Sequence, residues 1–281
     1  TTFKYSYPKL PEYSIHDLSR IGSSKKKLET LVDSQIFDIN EIPEDFELTL
    51  NQKNQVYAHK TQKPIIDLVA IKKELKSLVY PLYFFDYETY PPAIPLFKGF
   101  KPYQQIPFQF SLHVLHEPDG ELTHFEYLHE EATDPSCPLV DKLRETIGPT
   151  GNIIVWSKRF EKGINAQLAE RCPENLDFLE DINDRVYDLM EVFQKQFYVH
   201  PNFRGKVSIK KVLPVMAPKL SYKELAIKEG GSAMEAWYEM IFGEGSPEDK
   251  KKISADLLTY CGLDTYAMYA IWKELMNVVW S

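Results

Sequence analysis

The 281-residue sequence predicts an α/β protein: a mixed sheet in which three antiparallel strands precede parallel ones, flanked by helices, with a small helical region ahead of it. Three observations carry that prediction. Strand-like runs occupy residues 82–88, 106–116 and 122–128, and Glu117-Pro118-Asp119-Gly120 supplies a hairpin turn between the last two. The texture then changes to alternation, with a helical pattern over 139–147, an apolar strand over 152–156 and a helix over 160–170, which is the order that builds parallel strands with crossover helices. Finally, 208–216, 231–242 and 247–279 read as helices.

In chain order, residues 1–78 form a helical N-terminal region and linker, and residues 79–281 form the main domain. The start is Pro-rich. The spacing of Leu18, Ile21, Leu28 and Leu31 predicts short helices around a Gly22-Ser23-Ser24 turn, loosely like a helix-hairpin-helix. Such a unit either packs on the main domain as an appendage, the favoured reading, or contacts phosphate. A polar stretch follows, and 65–78 predicts a linking helix. A short strand or helix start falls at 185–189. There is no internal repeat and no low-complexity segment.

Composition limits what such a protein does. It is 43% hydrophobic and 13% aromatic, enough for a well-filled core. A formal net charge of -8 argues against holding duplex nucleic acid by general electrostatics, but leaves room for an enzyme that borrows positive charge from metal ions. Cys137, Cys172 and Cys261 are odd in number and widely spaced, with no zinc-ligand spacing, which fits thiols in a reducing compartment. No apolar run reaches the roughly 18 residues that a bilayer span needs, and no signal-peptide pattern opens the chain. The sequence therefore reads as cytoplasmic with no membrane partner. It begins at Thr1, not Met, as expected of a piece of something longer.

The candidate chemistry starts at Tyr83-Phe84-Phe85-Asp86-Tyr87-Glu88-Thr89. Side chains alternate along a strand, so Asp86 and Glu88 share one face, and paired carboxylates on a rigid element suit Mg²⁺ or Mn²⁺. Tyr260 and Asp264 stand four apart, hence on one helix face. Between them, Trp156-Ser157-Lys158-Arg159-Phe160-Glu161 ends a strand and opens a helix, so Glu161 serves either the site or the helix dipole. Asp188 is a further acid at a strand end, with a structural role favoured. Among bases, Lys98 to Tyr103 interleaves charge and ring, offering Lys101 and Tyr103 to a single strand, although an ordinary loop fits as well. Arg204, Lys206, Lys210 and Lys211 form either a phosphate-facing patch or a solvated face.

Taken together, Asp86-x-Glu88-Thr89, Phe160-Glu161 and Tyr260-x-x-x-Asp264 resemble the motifs of the DEDD exonuclease superfamily, the DnaQ-like branch of ribonuclease H-like nucleases, in its tyrosine subclass. Three antiparallel strands followed by alternating helices and strands is also the ribonuclease H-like order. The second motif departs from the family, which usually carries Asp where Glu161 stands, one methylene longer. Wider stretches, among them 102–112, Phe160-Glu161-Lys162-Gly163 and Ser208-Ile209-Lys210-Lys211-Val212-Leu213-Pro214, resemble a bacterial family of unknown function that is described as ribonuclease H-like. Its members often follow a RecB-like nuclease domain, so that resemblance implies such an upstream partner.

The resemblance implies a 3′-5′ exonuclease acting on single-stranded DNA or RNA. Phosphodiester hydrolysis of this kind uses two divalent ions about 3.5–4 Å apart. Asp86 is expected to bridge them, with Glu88 and Asp264 completing the coordination and Glu161 reaching it directly or through water. Tyr260, with an ordinary pKa of about 10, is expected to orient the attacking water by hydrogen bond. Two alternatives stay open: a catalytically weak or inactive nucleic-acid-binding or scaffold domain of a larger nuclease protein, or a purely structural partner of an attached nuclease domain.

Overall fold

A computed structural model describes residues 10–280; residues 1–9, most of the Pro-rich opening, lie outside the described residues. Single 3-10 turns at Ile15–Asp17, Ile21–Ser23 and Ile39–Glu41 surround α1 (Lys25–Asp33) and α2 (Leu50–Thr61), and Ile15, Leu18, Ile21, Leu31 and Ile39 fill a core of their own. The short helices around Gly22 match the expectation, whereas α2 replaces what reads as a polar stretch. Hydrophobic periodicity misses it because its buried face is built partly from glutamines. Gln52 and Gln55 reach the main chain at Asp17 and Ser19, satisfying groups that the 3-10 turns leave open. A capping box between Thr49 and Gln52 starts the helix.

The single linking helix expected over 65–78 is also corrected. Ile65–Ile66 forms β1, paired antiparallel with Tyr198–Val199, and only after Asp67 does α3 (Leu68–Lys76) begin. Asp67 caps it by accepting from the Ala70 amide at 2.9 Å.

The main sheet follows: β2 (Leu82–Tyr90), β3 (Ile106–Leu115) and β4 (Leu122–Leu128), then α4 (Ser136–Thr146), β5 (Asn152–Val155), α5 (Lys158–Arg171), α6 (Leu176–Asp184) and β6 (Val186–Asp188). α7 (Glu191–Gln194), β7 (Tyr198–Val199), α8 (Ile209–Met216), α9 (Gly230–Phe242) and the long α10 (Pro247–Trp280) complete the chain. The five strands lie in the order β4-β3-β2-β5-β6. β2, β3 and β4 pair antiparallel, whereas β5 and β6 add in parallel beside β2, giving a mixed sheet flanked by helices.

β2 is central and its alternation separates two layers. Tyr83, Phe85 and Tyr87 face α4, α5 and α6, packing on Leu139, Leu143, Ile164, Leu168 and Leu179. Leu82 and Phe84 face α10, where Met268, Ile271, Trp272 and Leu275 cover them. Gly151 holds the two parallel strands together: its φ is 93°, and a Cβ there would lie 2.1 Å from the Pro81 carbonyl oxygen. The register of β2 with β3 shifts between Glu88 and Thr89, where Glu88 opposes Gln109 and Thr89 opposes Pro107. Pro107 has no amide to donate, and a bulge is where a strand tolerates that.

Cys137, in the first turn of α4, and Cys172, at the end of α5, form a disulfide. The expectation of three free thiols is corrected accordingly, and with it goes the ground on which cysteine usage pointed to a reducing compartment. Among the described residues no helix is long and apolar enough to cross a membrane.

Candidate metal centre

The α10-facing side of β2 reads Leu82, Phe84, Asp86, Glu88, so its character changes from apolar to acidic halfway along. α10 changes in register with it. The Phe84 ring lies 5.9 Å from that of Trp272, and the Cys261 thiol lies 4.0 Å from the Asp86 carbonyl oxygen, so helix and strand run in opposite directions. The four-residue stripe Trp272, Met268, Asp264, Tyr260 therefore meets Phe84 with its apolar end and Asp86 and Glu88 with its polar end. Two of these acids and the phenol are withdrawn from solvent, Glu88 and Asp264 at 7% exposure and Tyr260 at 3%, while Asp86 is half-buried.

Glu161 arrives by the crossover. β5 pairs with β2 only as far as Ile154 opposite Phe84, after which the chain leaves the sheet and α5 begins beside the acidic half of β2. Its first turn delivers Glu161, 2% exposed, whose Oε2 has no hydrogen-bond partner. The start of α5 is itself fixed by Asp188, which accepts from the Lys158 and Met190 amides at 2.9 and 3.1 Å. Asp188 thus has the structural role favoured for it, capping the helix that carries Glu161.

Burial is the main electrostatic fact of the site. It pushes Asp86, Glu88 and Glu161 well above the usual carboxylate range, and mutual repulsion adds to it: Asp264 acts on Asp86, Asp86 on Glu161, and both Asp86 and Asp264 on Glu88. The contact between the two side chains of Asp86 and Glu161 favours the ionised form of Asp86 and the neutral form of Glu161. Asp264 is raised by burial to about 6, its rise limited by a hydrogen bond from the Tyr222 hydroxyl at 2.5 Å and by the charge of Lys210. Lys210 Nζ donates to the Tyr260 hydroxyl at 3.1 Å and to the Lys228 carbonyl at 2.7 Å. Burial and the nearby acids raise the Tyr260 phenol, which stays protonated.

Asp86, Glu88, Glu161, Lys210, Tyr260 and Asp264 line one cleft of about 380 Å³, with Trp156, Phe160, Ile209, Met234 and Met268 as its apolar wall. The carboxylates supply only hard oxygen donors, and they destabilise one another when ionised without a cation. With the orphaned Glu161 Oε2, that donor set fits Mg²⁺ or Mn²⁺.

Asp86, Glu88, Glu161, Tyr260, Asp264 and Lys210 are brought together; three other candidates are not. Lys101 and Tyr103 sit on an exposed loop outside the cleft lining, Tyr103 at 72% exposure. Arg204 pairs with Glu12 at 2.8 Å and lies over the Tyr13 ring, tying the N-terminal region down. Reading the sequence missed Tyr222, which sits in a loop with no periodic relation to the motifs. It also missed Trp156 and Met234 as cleft wall, although Trp156 directly follows β5 on the way to Glu161.

The profile of a domain of unknown function (DUF2779) matches residues 83–208, the segment that carries Asp86, Glu88 and Glu161. The uncharacterised protein UU173 of Ureaplasma parvum is 25% identical over 244 residues, covering 79% of this chain and 34% of that protein. The uncharacterised MG366 homolog of Mycoplasma pneumoniae is 24% identical over 224 residues, covering 72% of this chain and 34% of its own length. The chain thus spans about a third of the length of these relatives. No solved structure matches it.

Proposed function

We propose that this chain is a divalent-metal-dependent phosphodiester hydrolase with a ribonuclease H-like core of the DEDD, tyrosine-subclass type, acting as a 3′-5′ exonuclease on single-stranded DNA or RNA. One observation carries the reading. Four carboxylates from three separate elements, Asp86 and Glu88 on β2, Glu161 on α5 and Asp264 on α10, converge, largely buried, on one cleft. Buried acids are costly unless something compensates them, so a cluster of this kind in a cleft is a functional-site signature. The strand order β4-β3-β2-β5-β6, with the first acids on the central strand, supports the same assignment.

Asp86, Glu88, Glu161 and Asp264 would hold two Mg²⁺ or Mn²⁺ ions, which when bound supply charge neutralisation and an activated nucleophile. The chain's own groups do the rest. Tyr260, kept protonated by its surroundings, orients water by hydrogen bond and does not abstract a proton. Lys210 fixes that phenol through its 3.1 Å hydrogen bond and places a positive charge where a phosphate would enter. Trp156, Phe160 and Ile209 offer an apolar surface to a base or sugar and exclude water from one side of the cleft.

The test is cleavage of end-labelled single-stranded DNA and RNA with Mg²⁺ or Mn²⁺, beside Mn²⁺ titration. Stepwise shortening from the 3′ end, abolished by Asp86→Ala and by Asp264→Ala, is the expected result. Mn²⁺ binding without cleavage of either substrate would favour the scaffold alternative, and neither binding nor cleavage would sink the metal-centre reading itself.

A further inference from the structure

We propose that Cys261 adds a sulfur donor beneath Asp86 and Glu88, so that the centre takes up a thiophilic divalent cation of the Zn²⁺ or Cd²⁺ class in competition with Mg²⁺ or Mn²⁺. The inference rests on the metal-centre reading of these carboxylates but not on phosphodiester cleavage. Cys261 follows Tyr260 on α10 and stands three residues before Asp264, so it shares the helix face that meets β2. It is fully buried and outside the disulfide. Its Sγ and one carboxylate oxygen from each of Asp86 and Glu88 all lie within 4.8 Å of one another. The thiol's only hydrogen-bond acceptor among the described residues is the Asp86 carbonyl, at 4.0 Å, a weak contact that a metal bond readily replaces.

A cysteine among acids would carry little weight by itself. The independent observation is Glu161, which lines the same cleft as Asp86 and Glu88 and whose buried Oε2 has no hydrogen-bond partner, an acceptor oxygen left over. Donors on one Zn²⁺ stand about 2.0–2.3 Å from it, hence roughly 3.5 Å from each other, so rotations of about an ångström gather Cys261, Asp86 and Glu88 onto one ion. Sulfur selects for Zn²⁺ and Cd²⁺ over Mg²⁺ or Mn²⁺ because the softer ions gain more from a polarizable donor. Coordination is a simple exchange: the sulfur–metal bond forms, the S–H proton passes to solvent, and no electron moves. The other sulfur-bearing group, Cys137, Cys172 and Glu174, has both sulfurs committed to the disulfide and competes only if that bond is reduced.

The experiment is titration of the chain with Cd²⁺ alone under non-reducing conditions, read by the ultraviolet sulfur-to-cadmium charge-transfer band, with bound Mn²⁺ followed separately by electron paramagnetic resonance. In the wild type, Cd²⁺ is expected to release Mn²⁺ as the band grows to saturation. Cys261→Ser should lose the band and bind Cd²⁺ at least about tenfold more weakly while keeping Mn²⁺ affinity. Asp86→Asn should weaken both ions. Cys137→Ser with Cys172→Ser should leave the band unchanged. Release of Mn²⁺ by Cd²⁺ with no band would overturn the sulfur donor and leave the metal centre intact. A band that persists at full strength in Asp86→Asn would place the sulfur elsewhere and overturn the proposal equally. Because the wild-type competition needs no substitution, a misfolded Cys261→Ser would not blunt the test. A normal band without nucleic-acid cleavage would sustain this inference while counting against the hydrolase.

Discussion

Replacing Asp264 by Asn should stabilise the metal-free protein at alkaline pH and, in the same stroke, abolish its stabilisation by metal. Asp264 is raised from an ordinary 3.8 to about 6, with burial as the first cause. A carboxyl that holds its proton more tightly when folded than when unfolded favours the folded state below the unfolded pKa, and that contribution is lost as pH rises through the folded pKa. The window therefore runs from about pH 4 to about pH 6, with stability falling as pH increases. At about 1.36 kcal/mol per pKa unit, the full loss is on the order of 3 kcal/mol. Asn retains an oxygen for the 2.5 Å hydrogen bond from Tyr222 but never ionises. Urea denaturation in EDTA should thus find Asp264→Asn more stable than wild type by roughly 2–3 kcal/mol at pH 8, with the gap closing near pH 4. Mn²⁺ at a hundredfold excess over its Kd should then add about 2.7 kcal/mol to the wild type and far less to the variant. A variant less stable than wild type at pH 8, or one that gains equally from Mn²⁺, would refute the argument that uncompensated acids are stored at this site.

Three further outcomes follow from the packing. Phe84→Ala, which empties a fully buried position between β2 and α10, should cost about 3–5 kcal/mol by denaturation; a loss below 1 kcal/mol would mean that the two layers are not fastened there. Reduction of the Cys137–Cys172 bond, which spans 35 residues, should cost about 4 kcal/mol on chain-entropy grounds, measured by unfolding with and without reductant. Arg204→Ala and Lys101→Ala should leave nucleic-acid cleavage within about twofold of wild type, since neither lines the cleft, whereas Lys210→Ala should slow it at least about tenfold; equal effects from all three would relocate the substrate path.

How much of this was legible depended on whether periodicity carried the information. The acids of β2 and α10 were readable because alternation and four-residue spacing force Asp86 with Glu88, and Tyr260 with Asp264, onto common faces. Glu161 was only half readable: as a first-turn acid it suits the helix dipole equally well, and only the resemblance joined it to the other acids, because its approach to β2 depends on where the chain leaves β5. α2 was not, since Gln52 and Gln55 bury amides instead of hydrocarbon and leave no apolar stripe. Tyr222 and the Cys137–Cys172 bond were not, because each joins segments whose meeting is decided by the tertiary path. For the bases the same logic ran in reverse: Lys101, Arg204 and Lys210 look alike as sequence, and only their positions around the cleft separate them.

The acids of the centre reach it from β2, α5 and α10, segments so distant in the chain that none brings its carboxylate into place until the others have docked. Loop closures of that length are among the late and expensive steps of folding. Under the proposed metal-centre reading, capture of the ion would be a timing signal as well as a chemical one. In stopped-flow refolding, Mn²⁺ binding should lag behind the recovery of secondary structure, and no fragment that ends before α10 should show it.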